Sequence, residues 1–338
     1  MEKLVSIIVP CRNEENYIGA LIESFLNQDY PSEKIELLIM DGMSDDNTRN
    51  VIKQYSNDHP LIQLIDNPKK YAPFALNKGI QSSKGEIIII FGAHAEADKD
   101  FIKENVKAME QSNDIGCTGG IIENIYTNKT AEIIGLAMSS PFGVGNAHFR
   151  TGNKIGYVDT VAFGAYKQIV FEKAGYFDED LIRNQDDEFN FRIIKNGFKI
   201  YLSQNIRSKY HVRGSFTNLF QQYYQYGYWK VYVSKKHKTV TTTRQLIPLL
   251  FVLFLIIGVI LSMLNQHISW LFLLILGIYT TLALIFASKQ TSRYDKIFKV
   301  TFSFFLLHLS YGLGYFVGII HFLMFNKKPS KKSQGLTR

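Results

Sequence analysis

An abrupt change from an apolar run to a polar turn occurs between residues 34 and 48. The apolar run ends at Asp41, and Gly42, Ser44 and further Asp and Asn residues follow directly. In an open parallel α/β sheet, ligands bind outside the carboxyl ends of the strands, so this pattern predicts a ligand-binding turn. An Asp-Gly pair after a strand is also ordinary turn chemistry, so the segment on its own leaves both interpretations open.

A second segment near the start of the sequence has the same construction. Residues 5–10 form a short β-branched strand pattern that breaks at Pro10, and helical apolar spacing follows from Ile18 to Phe25. The polar residues between them include Arg12, Asn13 and Glu14. Two strands that end in polar turns predict an α/β domain in which both turns border one cleft.

Four ordered motifs extend this pattern, namely Ile8–Glu15, Asp41–Thr48, Ala75–Gly79 and Ser83–Ile90. In this order they resemble the nucleotide-sugar half of family 2 glycosyltransferases. The resemblance is closest to membrane-bound exopolysaccharide enzymes of the succinoglycan glucosyltransferase kind and covers about residues 1–235. It implies a GT-A fold, which is a Rossmann-like nucleotide-diphospho-sugar transferase domain.

The resemblance also implies a pocket for a nucleoside diphosphate sugar, most simply a UDP-linked one. The donor-binding residues that it indicates are Pro10, Arg12, Asn13, Glu14, Asp41, Ser44, Asn77 and Lys78. In this interpretation the Asp41 carboxylate reads the base edge of the nucleotide. Asn13, Glu14 and Ser44 line the same pocket.

The segment after the strand pattern 86–91 departs from the family. Family members generally have an Asp-x-Asp signature here, whose carboxylates hold a divalent cation against the donor diphosphate. This chain has Gly92 and His94 at those positions, in an Ala-His-Ala pattern that resembles the succinoglycan-type subgroup. The resemblance implies an Mn²⁺ or Mg²⁺ site that includes His94, Glu96 and His211, with Asp98 as a further acid nearby. The alternative is that His94 is hydrogen-bonded within a strand-end loop and binds no metal.

The segment 183–197 resembles the Glu-Asp-x-Glu motif of the family, in which the Asp is the catalytic base and a helix follows. Gln185 replaces the first Glu, so the resemblance assigns the base to Asp186, with Asp187 and Glu188 as the neighbouring acids. Acids in a first helical turn also offset the helix dipole, which is a purely structural alternative. The register with the preceding motifs favours the catalytic interpretation.

An aromatic segment at 221–230 resembles the Gln-x-x-Arg-Trp motif of polymerising members, with Gln225 and Trp229 as acceptor-binding residues. The Arg of that motif is absent, because Tyr228 takes its place. Arg213 or Lys230 would then supply the cation beside the diphosphate. Tyr and Trp are also enriched at membrane interfaces. The segment can bind an acceptor and lie at such an interface at the same time.

The last third of the chain has a different composition. The runs 246–264, 268–287 and 300–325 are almost uncharged and rich in Leu, Ile and Phe, and each is near the ~20 residues that cross a bilayer. Three such runs in succession favour a membrane domain over buried core helices. We therefore expect a catalytic domain at 1–235 and a membrane domain with a basic tail at 236–338.

The net charge of +8 is concentrated beside these apolar runs. The basic residues are Lys230, Lys235, Lys236 and Lys238 before the first run, Lys289, Arg293, Lys296 and Lys299 before the third, and Lys327, Lys328, Lys331, Lys332 and Arg338 at the end. Such clusters are typical of the cytoplasmic, anionic membrane face, so we expect no nucleic-acid partner. The pattern predicts a multi-pass protein of a bacterial-type cell membrane with a cytoplasmic catalytic domain. The two cysteines, Cys11 and Cys117, fit a reducing compartment.

The charges and the number of apolar runs conflict. Three crossings would put the basic tail on the side opposite the catalytic domain, whereas the positive charges place both inside. The third run contains Gly312, Gly314 and Gly318, so a bent or re-entrant segment is an alternative to the three spans that we expect.

The sequence thus predicts an inverting glycosyltransferase that moves a sugar to a lipid-linked sugar or glycan in cell-surface or exopolysaccharide biosynthesis. Two alternatives remain open. One is a processive polysaccharide synthase, and the other is a catalytically silent membrane scaffold that binds the nucleotide sugar.

Overall fold

The computed structural model describes residues 2–152, 154–212, 214–240 and 243–329. The chain divides into two compact units. The first comprises Met1–Ile125 and Ala147–His211, and the second comprises Tyr126–Asn146 and Val212–Arg338. The segment 212–235 thus groups with the apolar helices, whereas the sequence assigned it to the catalytic domain. The reason is that its helix packs along the last long helix of the chain.

The described residues of the first unit form a mixed sheet with nine strands. The strands are β1 Val5–Cys11, β2 Ile35–Asp41, β3 Ile62–Asp66, β4 Ile87–Ile90, β5 Ala95–Ala97, β6 Ile115–Tyr126, β7 Gly156–Val158, β8 Ala162–Lys167 and β9 Lys199–Val212. Their order is β3-β2-β1-β4-β8-β6-β9-β5, with β7 beside β9. The first four strands pair in parallel, and β8 pairs antiparallel with both β4 and β6.

The helices are α1 Ile18–Leu26, α2 Thr48–Asp58, α3 Ala72–Ser82, α4 Phe101–Met109, α5 Lys129–Met138, α6 Pro141–Val144, α7 His148–Thr151, α8 Gln168–Ala174, α9 Gln185–Lys195, α10 Phe216–His237, α11 Ile247–Ser262, α12 Gln266–Ser288 and α13 Tyr294–Gly318. A π-helix, Ile319–Met324, extends α13. Short 3₁₀ turns occur at Ser32–Lys34 and Thr243–Leu246.

Both faces of the parallel strands are covered, which explains their continuous apolar sequence. On one face, α1 contributes Ile18, Leu21, Ile22 and Phe25 to a core with β1, β2 and β4. On the other face, side chains of α3, α8 and α9 pack together, including Phe171 and Phe189. The register runs from Val5 opposite Ile35 to Cys11 opposite Asp41. The two strands therefore end at the same level, and their polar turns are adjacent, as the sequence predicted.

In the second unit, the three apolar runs form α11, α12 and α13 with its π-helical extension, close to the predicted limits. Each of these helices is long and apolar enough to cross a membrane. The glycines of the third run do not interrupt α13. A Cβ atom at Gly314 would lie 1.9 Å from the carbonyl oxygen of Tyr224, and one at Gly227 would lie 2.0 Å from that of Tyr311. The glycines therefore let α10 and α13 pack backbone to backbone.

Candidate active site

The turns that follow β1 and β2 are joined by hydrogen bonds. The Asn13 backbone N–H donates to the Ser44 hydroxyl at 2.9 Å, and the Asn13 side-chain amide donates to the Asp45 carboxylate at 2.7 Å. Asn13 has a φ of +56°, a left-handed conformation that Asn adopts more readily than most residues. The two motifs that the sequence singled out thus form one polar surface at the strand ends.

The Asp41 carboxylate is buried and already bonded within the protein. The backbone N–H of Ser44 donates to it at 3.1 Å, and the Ser44 hydroxyl donates to its other oxygen. Arg49 pairs with Asp41 and also donates to Asp66 at 2.8 Å. The hydrogen bond that Arg49 donates to Asp66 first, and then the one that it donates to Asp41, raise the pKa of Arg49. Arg49 was missed by the sequence reasoning, although it lies one residue inside α2, directly after the Asp41 turn.

The prediction that Asp41 hydrogen-bonds to the base edge of the nucleotide can be tested by mutation. We expect Asp41→Ala to weaken UDP binding about tenfold or more, because a hydrogen bond to a charged acceptor contributes ~1.5–3 kcal/mol. Calorimetric titration of the solubilised protein with UDP measures this change. Asp66→Ala is the matched control, since it removes the more exposed partner of Arg49. An equal loss in both variants would assign the effect to the position of Arg49, and unchanged affinity in Asp41→Ala would make the turn purely structural.

Three other predicted donor residues lie at the same strand ends. Pro10 is half-buried at the penultimate position of β1, opposite Met40. Arg12 is half-buried against Gly42, and among the described residues nothing accepts a hydrogen bond from its buried Nε. The Glu14 backbone N–H donates to the Thr48 hydroxyl at 2.7 Å. A buried guanidinium nitrogen without a protein partner is suited to an acceptor group of a ligand.

Asn77 and Lys78 on α3 have different surroundings. The buried Asn77 side chain accepts from the Phe177 backbone N–H and donates to the Phe177 carbonyl, both at 2.9 Å. This pair of bonds fixes the segment that leads into α9. Lys78 is exposed and donates to the Asp66 carbonyl at 2.8 Å. The geometry gives Asn77 a positioning role beneath the acidic helix, which its motif alone did not reveal.

Two imidazole–carboxylate pairs lie next to β5. The Nδ1 atom of His94 is 3.6 Å from the Glu14 carboxylate, and Nε2 of His211 is 2.9 Å from the Glu96 carboxylate. The pairs are connected, because the His211 backbone N–H donates to the His94 carbonyl at 3.3 Å. The Tyr17 ring contacts both imidazoles. The structure thus places His94 beside Glu14 and His211 beside Glu96, and the metal-binding role of these residues stays a prediction.

This cluster is not a complete metal site within the protein. Throughout the described part of the chain, no three His, Cys, Asp or Glu side chains are placed so that they could hold a metal ion together. The His211 Nδ1 atom is buried and has no hydrogen-bond partner among the described residues. Imidazole and carboxylate groups are the chemistry that a divalent ion such as Mn²⁺ prefers, so a cation bound here would need further ligands from another molecule.

The three acids of α9 differ in their exposure. Asp186 is exposed, Asp187 is half-buried and Glu188 is buried. Asn184 precedes the helix in a left-handed conformation, with a φ of +59°. Asp186 is therefore the acid of this motif that a bound acceptor can approach most easily.

Glu188 is bound by a bidentate pair with Arg192. The Nε and Nη2 atoms of Arg192 each lie 2.8 Å from a Glu188 carboxylate oxygen. The same guanidinium also donates to the carbonyls of Ala174 and Tyr176. This network fastens α9 to the end of α8, and the catalytic role that the sequence assigned to Glu188 stays a prediction.

A buried phenol lies under the start of α9. Tyr166 on β8 packs against Phe171 and Phe189. Burial first, and then the neighbouring Cys117 and Asp186, raise the pKa of Tyr166. The phenol therefore remains protonated near neutral pH, and the effect of Asp186 on it was not visible in the sequence.

The remaining predicted residues lie outside this unit. Gln225 is half-buried on α10, and Trp229 and Lys230 on the same helix are buried. Trp229 packs edge-on against Tyr228 and Tyr232. Arg213 lies outside the described residues. The roles of these four residues stay predictions.

Comparisons with known proteins identify the class. Residues 6–173 match the family described as Glycosyl transferase family 2. A dolichyl N-acetyl-alpha-D-glucosaminyl phosphate 3-beta-D-2,3-diacetamido-2,3-dideoxy-beta-D-glucuronosyltransferase of Methanococcus voltae is 39% identical over 66% of this chain and 71% of its own length. The succinoglycan biosynthesis protein ExoA of Rhizobium meliloti is 25% identical over 94% of this chain and 95% of its own. The chain belongs to glycosyltransferase family 2 and is a glycosyltransferase.

Solved structures confirm the fold. A Pyrobaculum calidifontis mannosyltransferase in complex with GDP-Man and Mn²⁺ has a TM-score of 0.53 at 21% identity, covering 66% of this chain and 62% of that chain. A fragment of S. aureus TarS in complex with UDP-GlcNAc also has a TM-score of 0.53, at 15% identity, over 92% of this chain and 90% of that one. The predicted GT-A domain followed by apolar helices is confirmed.

Proposed function

We propose that the protein transfers a sugar, with inversion, from a UDP-linked donor to a lipid-linked sugar or glycan acceptor in cell-surface polysaccharide biosynthesis. The observation that carries this proposal is the exposed Asp186 at the start of α9, in the same compact unit as the joined turns of β1 and β2. An accessible base and a polar nucleotide surface are the two elements that a direct displacement needs.

Asp186 deprotonates the acceptor hydroxyl, which attacks the anomeric carbon from the face opposite the diphosphate. The proton goes to the Asp186 carboxylate, the new glycosidic bond forms, and the bond to the diphosphate breaks. General-base assistance of this kind typically contributes ~10²–10⁴-fold. Asn77 supports the step indirectly, because its bonds to Phe177 fix the segment before α9.

The nucleoside diphosphate gains one negative charge when its bond to the anomeric carbon breaks, and a cation would stabilise that charge. The residues that would hold Mn²⁺ or Mg²⁺ are His94, Glu96, His211 and Glu14. When bound, the ion supplies charge neutralisation at the diphosphate. The buried Nε of Arg12 offers a further donor to an anionic ligand, and the contributions of Arg213 and Lys230 stay predictions.

The acceptor class is supported by a relative and by the apolar helices. The name of the Methanococcus voltae relative describes transfer to a dolichyl-phosphate-linked sugar. An enzyme with three helices suited to a membrane would meet such an acceptor at the bilayer surface. The acceptor contacts predicted for Gln225 and Trp229 stay predictions, since Trp229 is buried in the structure. In this proposal the catalytic unit lies in the cytoplasm.

The test is transfer by purified membranes, with a panel of radiolabelled nucleotide sugars and a lipid extract as the acceptor. We expect one labelled lipid product of defined size. A long polymer would favour a processive synthase, an alternative supported by the 24% identity to a poly-beta-1,6-N-acetyl-D-glucosamine synthase of Staphylococcus epidermidis. Nucleotide binding without transfer or donor hydrolysis would favour a silent scaffold.

Removal of the divalent cation is a separate test of the site. We expect chelation to abolish transfer and Mn²⁺ to restore it at least as well as Mg²⁺, because imidazole suits a transition metal ion better. His94→Ala should be nearly inactive at every metal concentration, and His94→Asp should shift the preference toward Mg²⁺. His59→Ala, a histidine at the end of α2, is the control. Full activity of His94→Ala, or of the wild type in excess chelator, would establish a metal-independent site.

A further inference from the structure

Helices α10 and α13 run parallel and in contact along almost the whole length of α10. At one end, the rings of Phe216 and Phe302 are 5.6 Å apart. In the middle, Gly227 lies against Tyr311. At the other end, Lys235 Nζ donates to the Phe322 carbonyl at 2.8 Å. Whatever path α13 takes relative to a membrane, α10 therefore takes the same path.

Helix α10 is too polar to cross a bilayer. It contains three lysines and four amide side chains, namely Lys230, Lys235, Lys236, Asn218, Gln221, Gln222 and Gln225. A charged side chain near the bilayer centre costs at least ~2.5–3.5 kcal/mol. Among the described helices, α10 is not one of those that are long and apolar enough to span. Its eight aromatic residues instead suit the interface between headgroups and acyl chains.

The hairpin of α11 and α12 has a different environment. It contacts α13 at its base, where Val252 and the Pro248 carbonyl lie against Gly312 and where Tyr279 bonds to His308 at 2.9 Å. Its far end is exposed, with 84% exposure at Met263 and 65% at Trp270. Only 17% and 11% of the most apolar windows of α11 and α12 are buried, compared with 50% for α13. Exposed apolar surface of this extent needs a lipid environment.

Part of the α13 surface is exposed and apolar as well, and one of its residues, Phe302, lies beside Phe216 at the start of α10. The exposed apolar residues at helical spacing are Phe298, Phe302, Val317, Leu323 and Met324. Exposed lysines gather where the two helices end together, at Lys236, Lys327 and Lys328. An apolar stripe on one side with basic residues at the end is typical of a helix that lies in the surface of an anionic membrane.

We propose that, among the described residues, only the α11–α12 hairpin crosses the bilayer. The α10–α13 pair lies in the plane of the membrane surface. Its exposed apolar residues Phe298, Phe302, Val317 and Leu323 face an anionic phospholipid layer. Two crossings return the chain to its starting side. The end of α13 then lies on the same side as the start of α10. This arrangement removes the conflict between the basic clusters and three apparent spans, and it does not depend on the sugar that is transferred.

The first test places single cysteines in the full-length protein at the start of α10, the hairpin tip and the segment after α13. Thr217→Cys, Gln266→Cys and Lys328→Cys are all at exposed positions. The native Cys11 and Cys117 are buried, so the wild type is the labelling blank. A membrane-impermeant maleimide is applied to sealed vesicles of each orientation, and detergent-solubilised samples set the full signal.

We expect Thr217→Cys and Lys328→Cys to react from one side and Gln266→Cys from the other. Reaction of Lys328→Cys together with Gln266→Cys would establish three crossings and overturn the proposal. Reaction of all three from one side would show that the hairpin does not cross, which also overturns it.

The second test measures depth directly in proteoliposomes that contain anionic phospholipid. Spin labels at Phe302→Cys and Leu323→Cys report immersion through their accessibility to oxygen and to a water-soluble nickel complex. On an in-plane helix the two labels have similar depths. On a spanning helix they differ by about 30 Å, which is 1.5 Å for each intervening residue, and that difference would contradict the proposal.

Discussion

Replacing Asp186 by Asn is expected to reduce sugar transfer by ~10²-fold or more while UDP affinity changes by only a few-fold. The amide preserves the shape of the carboxylate and removes its basicity, so the loss falls on the chemical step. The exposed position of Asp186 in the first turn of α9 makes it accessible to the acceptor hydroxyl. Single-turnover transfer measures the chemistry, and calorimetry measures nucleotide affinity.

Asp187→Asn is the matched control for Asp186→Asn, because it makes the same chemical change one position along the helix. We expect it to retain most of the transfer rate. Activity of Asp186→Asn above about a tenth of the wild-type level is a loss smaller than the ~10²–10⁴-fold expected for a general base, and it would assign the base to Asp187 or Glu188 instead.

The second large effect is expected on stability. Arg192→Met leaves the buried Glu188 carboxylate without its bidentate partner, and breaking a buried ion pair in this way costs ~3–5 kcal/mol. Arg192 and Glu188 have side-chain exposures of 19% and 2%, so solvent screens the pair little. We expect a marked decrease in the free energy of unfolding of the solubilised protein, measured by urea titration with fluorescence detection.

The double variant Glu188→Leu/Arg192→Met separates the structural from the catalytic role of Glu188. It removes both charges, so it should recover much of the stability that Arg192→Met loses. If Glu188 acts only within the fold, the double variant also retains a kcat close to that of the wild type. A folded double variant with abolished transfer would return Glu188 to the catalytic group, and an unchanged stability of Arg192→Met would contradict the buried-pair account.

The GT-A domain was predictable because its sequence signals are local. Apolar strand patterns end directly in polar turns at Asp41 and after Pro10, and such turns meet at one edge of a parallel sheet. The order of the four motifs identified the family, which the comparisons confirmed. The apolar runs were equally clear, since length and composition alone indicate a helix that suits a membrane.

The partners of the site residues were not predictable in the same way. Nothing near Asp41 in the sequence indicates that Arg49 pairs with it while also binding Asp66. Asn77 bonds to Phe177, a hundred positions away along the chain. Such contacts depend on how α-helices and strands are placed against each other, and one sequence carries no record of that placement.

The sequence by itself therefore determined the family, the sheet-end position of the candidate site and the apolar character of the last third of the chain, because each follows from residue type and spacing within a segment. Only the tertiary structure decided which acid of α9 is exposed, and it alone showed that Glu188 is bound to Arg192. It also decided that α13 packs along the polar helix α10. Burial and pairing between distant segments are properties of the folded chain, and they separate residues that look alike in sequence.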